Sequence, residues 1–185
     1  MKISCVTLML LLAPVLIAAD TDKPERLRAN LIGYEEVPSV STPAHGTFTA
    51  VVASDEQTIS YELEFANLIG TVQQAHIHVA QKAVNGSVVI WLCQTATTPA
   101  PAAVAAITPM CPTSGTVVGT ITSANVVAAG TASQQITAGE LGEVIAAIRA
   151  GVAYANVHST PLNPGGEIRG QIQDSRQSGD RDDDR

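Results

Sequence analysis

Apolar and polar positions alternate along most of the chain, with a period of two. Residues 57–65 (QTISYELEF) show it most cleanly: Ile59, Tyr61, Leu63 and Phe65 fall on one side, Ser60, Glu62 and Glu64 on the other. Side chains of a strand point alternately to its two faces, so one face of this segment is core and the other is wet. Residues 27–34 (LRANLIGY), 45–54 (HGTFTAVVAS), 74–79 (QAHIHV), 87–93 (SVVIWLC) and 116–127 (TVVGTITSANVV) read as further strands. The run at 87–93 is apolar almost throughout, which predicts a central strand. Near the end, residues 152–158 (VAYANVH) and 166–172 (GEIRGQI) flank the turn-forming stretch 159–165 (STPLNPG), the mark of a hairpin with a longer loop. Gly165 and Gly166 are placed there to allow positive φ.

One stretch changes period. In residues 138–150, Leu141, Val144, Ile145 and Ile148 recur at helical spacing. Thr137 and Glu140 form a capping-box pattern at the start, and Gly151 follows as a helix-ending residue. About seven to eight short antiparallel strands and one helix predict an all-β Greek-key sandwich or barrel, with the helix as a crossover or plug at one end.

The ends differ from this body. Residues 1–19 carry Lys2, an apolar run from Val6 to Ile17 and the small pair Ala18-Ala19, the pattern of a signal peptide cleaved near Ala19. Residues 174–185 (DSRQSGDRDDDR) are charged and lack apolar side chains, so they are expected to form a disordered tail. Loss of the signal removes Cys5 and leaves Cys93 and Cys111, an even pair that reads as a disulfide in an exported chain. It would close a loop over the Ala/Thr/Pro-rich residues 94–110, worth ~3 kcal/mol in the chain-entropy model. The expected location is therefore secreted or periplasmic, with no stable membrane span once the signal is gone. The formal net charge of −7 argues against a nucleic-acid partner.

Chemistry concentrates in two strands. His76 and His78 form an H-x-H pair on one strand face, and Tyr154, Asn156 and His158 share a face of another. Three imidazoles suit copper or zinc. The alternative is a buried hydrogen-bonded network, to which Asn156, Ser159, Glu167 and Arg169 would contribute as structural or second-shell groups. Glu167 and Arg169 share a strand face and read as an ordinary cross-strand ion pair, with Glu62 or Glu64 as other partners for the arginine. Glu35 and Glu36 read as solvated guards of a strand edge. No G-x-S-x-G, P-loop or dinucleotide motif occurs, and no catalytic residue is assigned.

The pieces QAHIHVAQKAVNGSVVIWLC and YANVHSTPLNPGGEIRGQI together resemble the CHRD domain, the module named after chordin and widespread in bacterial secreted proteins. The resemblance runs from Leu27 to Ile172 and implies a domain over residues 27–173. It implies an exported binding or structural module, non-enzymatic and with an unknown protein or metal ligand. The alternative is a periplasmic or extracellular copper- or zinc-binding protein using His76, His78 and His158. More remotely, the strand-borne H-x-H and the Gly-Gly turn before Arg169 are similar to the copper half of Cu/Zn superoxide dismutases. The chain departs from those enzymes in having no further histidine to bridge a zinc site, His45 being the only one to spare.

Overall fold

The structure, a computed structural model, describes residues 24–175. The expected signal peptide lies outside the described residues, as does the tail from residue 176 onward. Nine strands and two α-helices are formed there: β1 (Glu25–Ile32), β2 (His45–Val52), β3 (Ile59–Ala66), β4 (Thr71–Val79), β5 (Ser87–Cys93), α1 (Ala102–Ala105), β6 (Gly115–Ile121), α2 (Leu141–Arg149), β7 (Ala153–Thr160), β8 (Asn163–Gln171) and β9 (Gln173–Asp174). The hydrogen-bonded order is β5-β4-β7-β8-β1-β2-β3-β6, antiparallel throughout, with β9 added on β1. Residues 174–175 thus belong to the ordered body, since Ser175 donates its N–H to the Arg26 carbonyl.

The sheet curls into a nearly closed barrel. Its two ends meet where Ile90 bridges Val126 and the Val127 N–H donates to the Val89 carbonyl at 2.9 Å. Inward residues from seven strands fill the barrel: Leu31, Phe48, Leu63, Phe65, Ile77, Leu92, Val157 and Ile168 are all fully buried, and β6 adds Val117 and Ile121. Each such side chain contributes ~1.5–3 kcal/mol relative to exposure. The alternation expected for residues 57–65 appears in β3 as a strict buried–exposed pattern.

Four local readings change. First, β5 is not central but starts the hydrogen-bonded path. Its apolar run comes from two register shifts against β4, beside His76 and His78, which break the alternation and let neighbouring residues both turn inward. Second, the strand expected over 116–127 stops at Ile121. There Asn125 folds back and its side chain accepts the Thr122 N–H, forming a short 3-10 turn. Third, α2 begins at Leu141 and not at residue 138, because Gly139 sits at φ +90, outside helical space. Thr137 makes no side-chain cap; its backbone N–H instead donates to the Glu140 carboxylate at 2.6 Å. The apolar stripe of α2 joins the core as expected. Fourth, the β7–β8 turn is only Pro161-Leu162. The surplus of the long loop is taken up inside β8, where residues 164–167 bulge between Ile168, opposite Val157, and Asn163, opposite Ser159.

The disulfide forms as expected, Cys93–Cys111, with Cα atoms 5.0 Å apart. It is not the sole tie on that excursion. The buried side chain of Gln94 donates to the Ala105 and Thr108 carbonyls (2.7 and 2.8 Å) and accepts the Ala100 N–H (2.8 Å).

Candidate metal centre

β4 and β7 lie side by side with His76 opposite Asn156, His78 opposite Tyr154 and Gln74 opposite His158. Ala75 and Ile77 point into the core, as do Ala155 and Val157. The period of two therefore sends His76, His78, Tyr154, Asn156 and His158 to the outer face. That face is covered, which is why every residue of β7 but the last is buried.

Two segments make the cover. Residues 33–42 turn through a 3-10 helix after β1, and residues 81–86 join β4 to β5. Arg169 stitches the second to β8, donating to the Val84 carbonyl (2.8 Å), the Asn85 side chain (3.3 Å) and the Gln81 carbonyl (3.4 Å). Asn85 in turn donates to the Val37 carbonyl at 3.1 Å, and Lys82 pairs with Glu35 at 3.0 Å. Glu36 is not a solvated edge guard. It is buried and accepts the Asn156 side-chain N–H at 2.9 Å. Gly166 makes that possible: it sits at φ +130, and a Cβ there would lie 2.3 Å from Asn156 Nδ2 and 2.6 Å from Glu36 Oε1.

Under this cover the three histidines converge. Ring centroids are 5.4 Å apart for His76–His78, 5.0 Å for His76–His158 and 6.3 Å for His78–His158. Their exposures are 1%, 8% and 6%. One donor atom from each lies within 4.8 Å of the others, and no carboxylate or cysteine sulfur among the described residues joins the group. Two nitrogens bound to one ion at ~2.0–2.1 Å are at most ~4.2 Å apart, so seating an ion needs ring shifts under about 1 Å.

The hydrogen bonds orient the rings. His78 Nδ1 lies 3.0 Å from the Gly86 carbonyl, and His158 Nδ1 lies 2.8 Å from the Pro164 carbonyl. A carbonyl only accepts, so each Nδ1 carries the proton and each Nε2 presents a lone pair. Both Nε2 atoms are buried without a partner, as are both ring nitrogens of His76. Burial disfavours the charged imidazolium. It lowers His78 to about 4 against the help of the Gly86 carbonyl, and it lowers His158 against that of Pro164. His76 is lowered further, by burial first and then by its two neighbours. The trio is neutral at pH 7.

The residues expected to support the histidines divide. Asn156 and Arg169 belong to this face, the latter with its guanidinium carbon 3.4 Å from the Tyr154 ring centroid. Tyr154 in turn stacks on His78 at 4.6 Å. Glu167 and Arg169 do not pair. Glu167 accepts instead from Thr42 (2.6 Å), the Ile69 N–H (2.8 Å) and Ser159. Glu62 and Glu64 are exposed on β3 and take no part. His45 is exposed, with Nδ1 3.2 Å from the Pro43 carbonyl. The sequence reading passed over Trp91, which sits opposite His76 in register with ring centroids 4.3 Å apart.

A family model for the CHRD domain matches residues 27–172. The chain belongs to the CHRD domain family. The match runs from within β1 to just past β8 and takes in both segments that carry the histidines. No curated protein and no solved structure matches the chain. The CHRD domain described here therefore has a fold and a buried three-histidine group. No helix among the described residues is long and apolar enough to cross a membrane.

Proposed function

We propose that this CHRD domain is an exported binding module that holds one copper or zinc ion through Nε2 atoms of His76, His78 and His158. The observation that carries the reading is the set of buried, unpartnered Nε2 atoms, two of them with their Nδ1 protons fixed on backbone carbonyls. An imidazole with one nitrogen on a carbonyl and a lone pair opposite is the usual preparation of a metal ligand. The rival, a purely structural histidine network, would place those lone pairs on donors, because a buried acceptor without a partner costs ~1–3 kcal/mol. The Cys93–Cys111 bond supports export, since disulfides persist in oxidising compartments. With the donor atoms buried, the reading is of an ion held and not of a substrate turned over.

Titration calorimetry with Cu(II) and Zn(II) tests it, on wild type and on His78→Ala. One equivalent should bind to wild type and none at micromolar concentration to the variant, and melting curves should show the metal raising the midpoint of wild type alone. Wild type that binds neither metal, beside a variant that has lost stability, would assign the histidines to the structural network.

A further inference from the structure

The charges and donor types around the histidines distinguish one ion from another. We infer that the site, read as a metal site as above, selects monovalent copper over divalent copper and zinc.

The first observation is the donor set. It consists of neutral nitrogens, with no carboxylate or thiolate among the described residues inside the group. An ion bound there keeps its full charge in a buried place, and that cost grows steeply from one charge to two. The second is the nearest fixed charge. Arg169 lies against Tyr154, and Tyr154 against His78, so a guanidinium stands one aromatic ring away from a ligand. The acid facing this cluster is Glu36. It accepts from Asn156 and does not join the histidine group, so it supplies no anion to the metal.

The third observation is coordination. Zinc in protein sites is almost always four-coordinate, and the histidines supply three ligands; the one other buried, unpartnered side-chain atom among the described residues is the neutral Asn156 Oδ1. Divalent copper favours tetragonal sites of nitrogen and oxygen. The three rings are each more than nine-tenths buried, and the side of His76 is closed by the edge of Trp91. A filled-shell monovalent copper ion accepts three nitrogens with neither a fourth ligand nor an anion.

The chain carries its own reporter. Trp91 is its only tryptophan and lies 4.3 Å from His76, so its emission reads this site alone. The experiment titrates the oxidised full chain with Cu(I) under anaerobic conditions, buffered by a chromophoric Cu(I) chelator. Parallel titrations use Zn(II) and Cu(II) with their own competitors. Trp91 emission should change at one equivalent of Cu(I). The Cu(I) affinity should exceed both divalent affinities at least about tenfold, the scale set by one extra unit charge in a low-dielectric layer. His158→Gln, which removes the third nitrogen, should weaken Cu(I) at least about tenfold. Zinc or Cu(II) binding as tightly as Cu(I) would overturn the selectivity while leaving the metal site standing. Failure of all three ions to bind or to move Trp91 emission would remove the site itself.

Discussion

Glu167 and the histidine trio are two polar burials on neighbouring strands, and the protein treats them in opposite ways. Glu167 on β8 is fully buried, yet a hydroxyl from Thr42, a hydroxyl from Ser159 and the Ile69 N–H all reach its carboxylate. Burial alone would raise its pKa. The hydrogen bonds from Ser159, Thr42, Ile69 and Asn163 outweigh it and hold the group below the usual range. Of the histidines, on β4 and β7 nearby, His78 and His158 are held at Nδ1 and His76 at neither nitrogen, and no hydrogen bond is formed at any Nε2. The chain can saturate a buried polar group where the fold requires one. Its leaving three lone pairs open in a neighbouring place is therefore a property of that place, suited to an electrophile from outside.

The largest effect expected from breaking this contrast is at Glu167. Glu167→Ala leaves these donors without their acceptor and should cost on the order of 3 kcal/mol or more in chemical denaturation. His76→Leu, which removes two unpartnered nitrogens at similar volume, should change the metal-free protein by less than about 1 kcal/mol. Equal losses in the two variants would show that the histidines are as structural as the carboxylate.

A pH series sharpens the contrast. Burial pushes Glu36 up to about 7, against the hydrogen bond from Asn156 and the charge of Arg169. A carboxyl raised in the folded state stabilises it most below the ordinary value near 4.5, and the contribution is lost as pH rises through 7. Its full span is ~3 kcal/mol. The depressed His78 acts oppositely, its contribution complete above 6.5 and lost as pH falls toward 4. In wild type Glu36 opposes the three depressed histidines between pH 4.5 and 7. In metal-free Glu36→Gln the stability should rise more steeply with pH across that window, read by denaturation at half-unit steps. Parallel curves for wild type and variant would mean that Glu36 ionises as if it were solvated.

The smallest effect lies at the start of α2. Glu140→Ala should cost ~0.5–1 kcal/mol by freeing the Thr137 N–H, while Thr137→Ala should cost almost nothing because its hydroxyl caps no helical N–H. A thermal melt that ranks them the other way would place the helix start at Thr137.

The alternation of polar and apolar residues was enough to place His76 with His78, and Tyr154 with Asn156 and His158, because side-chain direction in a strand is a local property. That β4 pairs with β7, bringing the two sets into contact, is decided by core packing between distant segments. The helix start was partly legible, since Gly139 stands two residues before Leu141; the weight given to Thr137 hid it. Glu36 was not legible at all. Beside another glutamate and near Pro38 it looks solvated, and only the fold of residues 33–42 over Asn156 buries it. Gln94 likewise carries no local sign that its amide will gather the excursion after β5. The apolar run of β5 misled for a physical reason, since bulges and two-sided burial write the same pattern.

The rim of the cover has a consequence in time as well as in energy. Residues 33–42 and 81–86 are joined at their outer edge by an exposed Lys82–Glu35 pair and one hydrogen bond from Asn85, contacts that hold little. Beneath them, Arg169 ties the 81–86 segment to β8 with three hydrogen bonds. Residues 33–42 are likewise fastened at their base, by Glu36 on Asn156 and by Thr42 on Glu167. Both flanks of the cover are thus firm below and loose at the edge, so any opening over the histidines starts at the Lys82–Glu35 seam and should come faster when Lys82 is neutralised.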